Sequence, residues 1–124
     1  MARLFLAVAS LLAAFSVAGG AFGAHALKEK LNESALSSFE TGVRYQMYHA
    51  IALLIVAFLA NQHPEAKGLV AVGWCFIIGI ILFSGSLYGL SLGNIKALGP
   101  VTPLGGLAFI IGWSLLAWTS RSVF

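Results

Sequence analysis

Hydrophobic residues in this chain do not alternate with polar ones; they collect in four long runs, and charged residues mark where each run stops. "LFLAVASLLAAFSVAGGAFGAHAL" lies between Arg3 and Lys28, and "YQMYHAIALLIVAFLANQHP" between Arg44 and Glu65. "GLVAVGWCFIIGIILFSGSLYGLSLGNI" follows between Lys67 and Lys96, and "ALGPVTPLGGLAFIIGWSLLAWTS" between Lys96 and Arg121. Each run supplies about 17 to 25 residues of helix, enough to cross roughly 30 Å of hydrocarbon at 1.5 Å per residue. A water-soluble bundle would show polar residues at helical spacing on one face of every helix, and runs three and four have none. The pattern therefore predicts an all-α fold, an integral membrane four-helix bundle forming one domain over 1–124, with spans near 4–26, 44–62, 68–92 and 102–120.

Punctuation between the runs agrees. "NQHPEAKG" reads as a short polar loop with Pro64 and Gly68, and "GNIKALGPVTP" as the connection to the last span, with Thr102 as a candidate N-cap ahead of Pro103. In the longest connection Leu36, Phe39, Val43 and Met47 recur at helical spacing, while Ser37, Glu40, Thr41 and Arg44 take the other side. Asn32, Glu33 and Ser34 are suited to start that helix, which then runs from about Ser34 to Asn61 as a polar extension merging into the second span. Arg3 followed by an apolar stretch and "AHA" also resembles a secretory signal. The stretch exceeds the usual 7 to 15 residues of a signal core, and Gly19 and Gly23 four apart suit helix packing, so a retained first helix is the expectation.

Composition decides the solvent. The chain of 124 residues is 60% hydrophobic and 9% charged, with mean hydropathy +0.95, against about 25% charged for ordinary soluble domains. Seven Lys or Arg against four Glu give a net charge of +3, but the basic residues are scattered, which argues against a nucleic-acid partner and for contact with membrane lipids. Arg3, Lys67 and Arg121 fall at one membrane side and Lys28, Lys30, Arg44 and Lys96 at the other, an even division. The sole cysteine, Cys75, lies within an apolar run and reads as packing.

Candidate chemistry concentrates in "FETGVRYQMYHA", residues 39–50. Glu40 and Arg44 are four apart in the favourable order for a helical ion pair, and Tyr45 and His49 are also four apart. His25 closes the preceding run on the same membrane side, so His25, Glu40, Arg44, Tyr45, Tyr48 and His49 are expected to form one polar interfacial layer. That layer reads as a clamp between helices one and two, as a site for a proton, ion, headgroup or small solute, or as a haem or metal site on His25 and His49. No recognisable metal-ligand spacing or catalytic set accompanies it, so neither a metal nor a cofactor is expected. Gly19 and Gly23, the stripe Gly85, Gly89 and Gly93, and Gly105, Gly106 and Gly112 are the expected helix-packing positions. Trp113 and Trp118 suit an aromatic belt at the membrane boundary, and Trp74 lies near the start of the third span.

"GAFGAHAL", "FETGVRYQMYHA", "LFSGSLYGL" and "GPVTPLGGLAFIIGW" together resemble the small bacterial inner-membrane family labelled domain of unknown function 423, whose relatives include the eukaryotic transmembrane protein 256. The resemblance runs nearly end to end. It implies a four-span protein of the inner membrane with a general role in keeping membrane function intact, and it supplies no catalytic residues. The expectation is a non-enzymatic multi-pass protein acting through lipid or protein contacts, with a homo-oligomer or membrane-protein partner as an option. A small oligomeric transporter or channel is the alternative, and a haem- or quinone-linked protein using His25 and His49 the second. The untagged chain is expected to sediment with membranes and to become monodisperse only in detergent; a monodisperse species in plain buffer would contradict a lipid solvent.

Overall fold

A computed structural model describes all of Met1–Phe124 and contains helices without strands. Helix α1 spans Ala2–Phe22 and ends in a wider π-helical turn, Gly23–Leu27. Helices α2, α3 and α4 span Glu33–Gln62, Gly68–Leu92 and Val101–Val123, with a short 3-10 turn at Lys96–Leu98 before α4. All four helices are long and apolar enough to cross a membrane. Short connections make chain neighbours antiparallel, and the closest backbone packing is between α1 and α2, α2 and α3, and α3 and α4. Helices α2 and α3 thus occupy the middle, while α1 and α4 expose most of their surface.

Local signals explain the helix ends. The Asn32 side chain accepts a hydrogen bond from the Ala35 N–H at 2.8 Å, and Glu33 stands in the first turn, at the positive end of the helix dipole. At 30 residues α2 is about 45 Å long. Asn94, at φ 50°, takes the left-handed conformation after α3 and turns the chain so that the Ile95 N–H reaches the Gly89 carbonyl at 3.1 Å. The expected Thr102 cap does not form. Helix α4 begins earlier, after Pro100, and the Thr102 hydroxyl instead bonds the Ser86 hydroxyl of α3. Pro103 falls in the first turn of α4, where no helical hydrogen bond is lost.

The interior has two apolar regions. The larger joins all four helices through Phe5, Leu53, Leu69, Phe76 and Phe109. The smaller, Leu27, Phe39 and Val43, closes the opposite end of the α1–α2 pair. In lipid the attraction between helices comes from close packing rather than from expelling water, so small residues decide where backbones meet. A Cβ on Gly19 would stand 3.2 Å from Val43 Cγ2, and one on Gly23 would stand 2.9 Å from Phe39 Cε1, placing both glycines on the α1–α2 contact. At Gly105 a Cβ would collide with the backbone of Phe83, and at Gly112 it would stand 2.8 Å from the Phe76 ring. Gly106 only grazes Phe83, at 3.9 Å.

The expected glycine stripe on α3 is placed differently. Gly85 meets nothing within 4 Å, while Gly89 and Gly93 receive Leu98 and Ile95 of their own connecting loop. Gly85 shares its face with Ile78 and Ile81, which are exposed, because α3 turns its flanks to α2 and α4 and its back to lipid. The glycines of α3 that admit a neighbouring helix are Gly68, met by the Thr119 side chain, Gly73, filled by the Phe5 ring, and Gly79, filled by the Phe109 ring. Gly105→Ala is expected to destabilise the bundle by about 1–3 kcal/mol through overpacking, read as a lower unfolding midpoint in detergent. Gly85→Ala should stay within about 0.5 kcal/mol of the parent; equal losses at both positions would refute this assignment of faces.

Candidate functional site

Between the two apolar regions lies a polar layer, built chiefly on the buried face of α2. Phe39, Val43, Gln46, His49, Ala50, Leu53, Val56 and Ala57 are the residues that face carries inward, spaced three and four apart. Gln46 and His49 are 6% and 4% exposed, so both side chains leave water and hydrocarbon alike for the protein interior. His49 lies 16 residues into α2, about 24 Å from its start. The layer is therefore deep in the bundle rather than at the end of the helix.

Gln46 ties three helices together. Its side-chain amide donates to the Leu12 carbonyl of α1 at 2.8 Å, and its carbonyl accepts from the Tyr88 hydroxyl of α3 at 2.7 Å. One turn away, the Ser84 hydroxyl donates to the Gly42 carbonyl at 2.6 Å. Gly42 makes this approach possible, since a Cβ there would stand 2.8 Å from the Tyr88 ring. Ser86 and Thr102 join α3 to α4 through their hydroxyls.

His49 is held from every side. The Trp113 indole N–H donates to its Nε2 at 3.0 Å, and its Nδ1 lies 2.8 Å from the Tyr45 carbonyl. An indole N–H only donates and a carbonyl only accepts, so the imidazole is neutral with its proton on Nδ1. Phe109 stacks on the ring with centroids 3.5 Å apart and planes 7° from parallel, while Phe76 meets it edge-on at 5.4 Å. Gly79 supplies the space for Phe109, and Gly112 that for Phe76. No buried side-chain nitrogen or oxygen is left without a partner.

The six residues expected to form one layer are divided between two environments. His49 is buried, and Tyr45 packs beside it, against Phe83 with centroids 4.7 Å apart. Glu40, Arg44 and Tyr48 face outward, and His25 is exposed on the π turn. Glu40 and Arg44 form no ion pair; the Arg44 guanidinium donates to the Thr41 hydroxyl at 3.2 Å, and the Glu65 carboxylate lies 3.4 Å from the His63 imidazole Nδ1. Helical phase divides the six between the two environments: residues 40, 44 and 48 fall on the opposite side of α2 from 39, 43, 46 and 49. His25 and His49 are also separated along the axis. Gly23 packs level with Phe39, and His49 lies ten residues, about 15 Å, further along α2. With both ring nitrogens of His49 engaged, the pair does not present two free imidazoles to one haem. Nor does any group of three His, Cys, Asp or Glu side chains form a metal-sized cluster.

Gln46, Tyr88 and Phe109 join the layer without having stood out in the sequence. Trp113, expected at the membrane boundary, is 46% exposed but turns its indole N–H to His49, and Trp118 is 64% exposed and lies under the Arg121 guanidinium at 3.9 Å. The signal that identifies Gln46 is the seven-residue interval Phe39–Gln46–Leu53, which places a lone amide in line with two core residues.

Four apolar helices of membrane-crossing length around a hydrogen-bonded interior define a multi-pass integral membrane protein. The chain belongs to the family described as a protein of unknown function, DUF423, which it matches over residues 19–106. It is similar to the UPF0382 membrane protein YwdK of Bacillus subtilis strain 168, at 46% identity over 92% of this chain and 93% of that protein. The UPF0382 membrane protein of Haemophilus influenzae is 43% identical over 97% of this chain and 95% of its own length. That of Staphylococcus aureus strain USA300 is 46% identical over 92% of both. No solved structure matches the chain significantly.

Tyr88→Phe is expected to cost about 0.6–1.7 kcal/mol, the range of hydrogen bonds within membranes. Gln46→Leu should cost more, since it removes two bonds. The double variant should cost less than the sum, and strict additivity in the unfolding midpoints would refute the Gln46–Tyr88 bond. Nitrogen NMR of labelled histidine should show His49 as the Nδ1–H tautomer at neutral pH; an Nε2–H signal would contradict the Trp113 contact.

Proposed function

We propose that this protein is a non-enzymatic, multi-pass component of the bacterial inner membrane that supports membrane integrity through contacts with lipids or neighbouring proteins. The observation that carries this reading is the self-contained interior. Gln46, His49, Tyr88, Ser84 and Ser86 each spend their hydrogen-bonding capacity on another part of the same chain. None of these groups is left aimed at empty space, as a substrate-binding group would be. Clefts of about 450, 340 and 300 Å³ open instead at the end of the bundle carrying Met1, His63 and Phe124.

The buried layer on this reading is a lock on helix packing, and the outward residues Glu40, Arg44, Tyr48 and His25 are the groups available to headgroups or partners. Membership of a family whose relatives are named as membrane proteins supports the location in a membrane. The expected outcome in proteoliposomes is no solute or proton flux above that of empty vesicles. In cells lacking the gene, the parent protein should restore resistance to membrane stress. Gln46→Leu should restore it only in proportion to the folded protein remaining. Flux that disappears on His49→Phe while the protein stays folded would overturn this reading in favour of transport.

A further inference from the structure

Helix α1 packs on α2, and its two ends make different contacts. Near its C-terminal end it lies on α2 through Gly19, Gly23 and the Leu12–Gln46 bond. At its N-terminal end the Phe5 side chain reaches α3, where its ring fills the space left by Gly73 and meets Trp74 edge-on, centroids 5.9 Å apart at 78°. On the outer side of this end a cleft of about 450 Å³ opens between α1 and α2, within the range of ligand sites. Leu6, Leu54, Ala57 and Phe58 form its walls, and Arg3 and Asn61 stand at its end. Leu6 is 52% and Phe58 63% exposed, so the slot is open to the surrounding bilayer.

Charge at that end discriminates between occupants. Arg3, Lys67 and Arg121 face a single acid, Glu65, which is engaged with His63. A guanidinium presents a planar pair of donors matched to phosphate oxygens, and an asparagine amide adds donors beside it. An uncharged chain would fill the walls but ignore Arg3; a zwitterionic headgroup would bring a cation to an end already positive.

We propose that this cleft binds one anionic phospholipid, with an acyl chain between α1 and α2 and its phosphate on Arg3 and Asn61. The site deepens the contact reading above by naming a lipid class. The test is native mass spectrometry of the full chain, delipidated in mild detergent and titrated with phosphatidylglycerol or phosphatidylcholine. One phosphatidylglycerol should bind per protomer, ahead of phosphatidylcholine. Arg3→Gln should weaken it about fivefold, the effect of one basic side chain at a lipid surface. Arg121→Gln, which removes a cation stacked on Trp118 outside the cleft, should leave binding unchanged. Leu6→Trp, at an exposed position, should fill the slot and abolish retention. Equal binding of the two lipids, wild-type binding by Arg3→Gln, or equal losses at Arg3 and Arg121 would each overturn the site. So would a dimer that Leu6→Trp separates, which would assign the cleft to a second copy. None of these arms measures flux or membrane resistance, so a failed lipid site leaves the contact reading standing, and flux would sink that reading whatever binds the cleft.

Discussion

Hydrocarbon offers no hydrogen-bond partner, so every polar group that enters the bundle must find one within it. This constraint organises the centre of the molecule. Gln46 satisfies both ends of its amide on two different helices, and Tyr88, Ser84, Ser86 and Trp113 are placed so that each hydroxyl or indole reaches an acceptor. Because Gln46 can meet the constraint only when α1, α2 and α3 stand in one register, the polar layer selects that register.

Close approach makes the bonds possible. A hydroxyl as short as that of Ser84 reaches a carbonyl on the next helix only where a side chain is missing, which is the part Gly42 plays. The same economy recurs with aromatic rings: Phe109 enters at Gly79, Phe5 at Gly73 and Phe76 at Gly112. Each pairing is a shape lock between a flat ring and a bare stretch of backbone. Helix α3 takes part in all three locks, which hold the outer helices α1 and α4 to it.

The architecture was legible from charge and hydropathy, since four long uncharged runs leave few alternatives to four membrane helices. The α2 start at Asn32 and Glu33 was legible too, because capping is a local matter. The site was read less well, and the reason is angular. Sequence proximity grouped Glu40, Arg44, Tyr48 and His49, but consecutive helical positions turn by about 100°, and only His49 of these four points inward. Glycine spacing was a similarly incomplete guide: Gly85, Gly89 and Gly93 repeat on α3, yet the ring-filled positions are Gly73 and Gly79. Which face of a central helix meets protein is set by its two neighbours, and that is tertiary information. Trp113 shows the same limit, as its partner lies 64 residues away.

The contrasting positions of the tryptophans give the molecule a built-in optical readout. Trp113 is bonded to His49 within an aromatic cluster, whereas Trp118 looks into the bilayer beneath Arg121. All three indoles are partly exposed, Trp74 at 40%, Trp113 at 46% and Trp118 at 64%, so a quencher dissolved in lipid tails reaches each of them. Only the bond from Trp113 to His49 requires α4 to stand against α2, so emission from Trp113, with Trp74 and Trp118 replaced by phenylalanine, reports assembly of the helices apart from their arrival in the membrane.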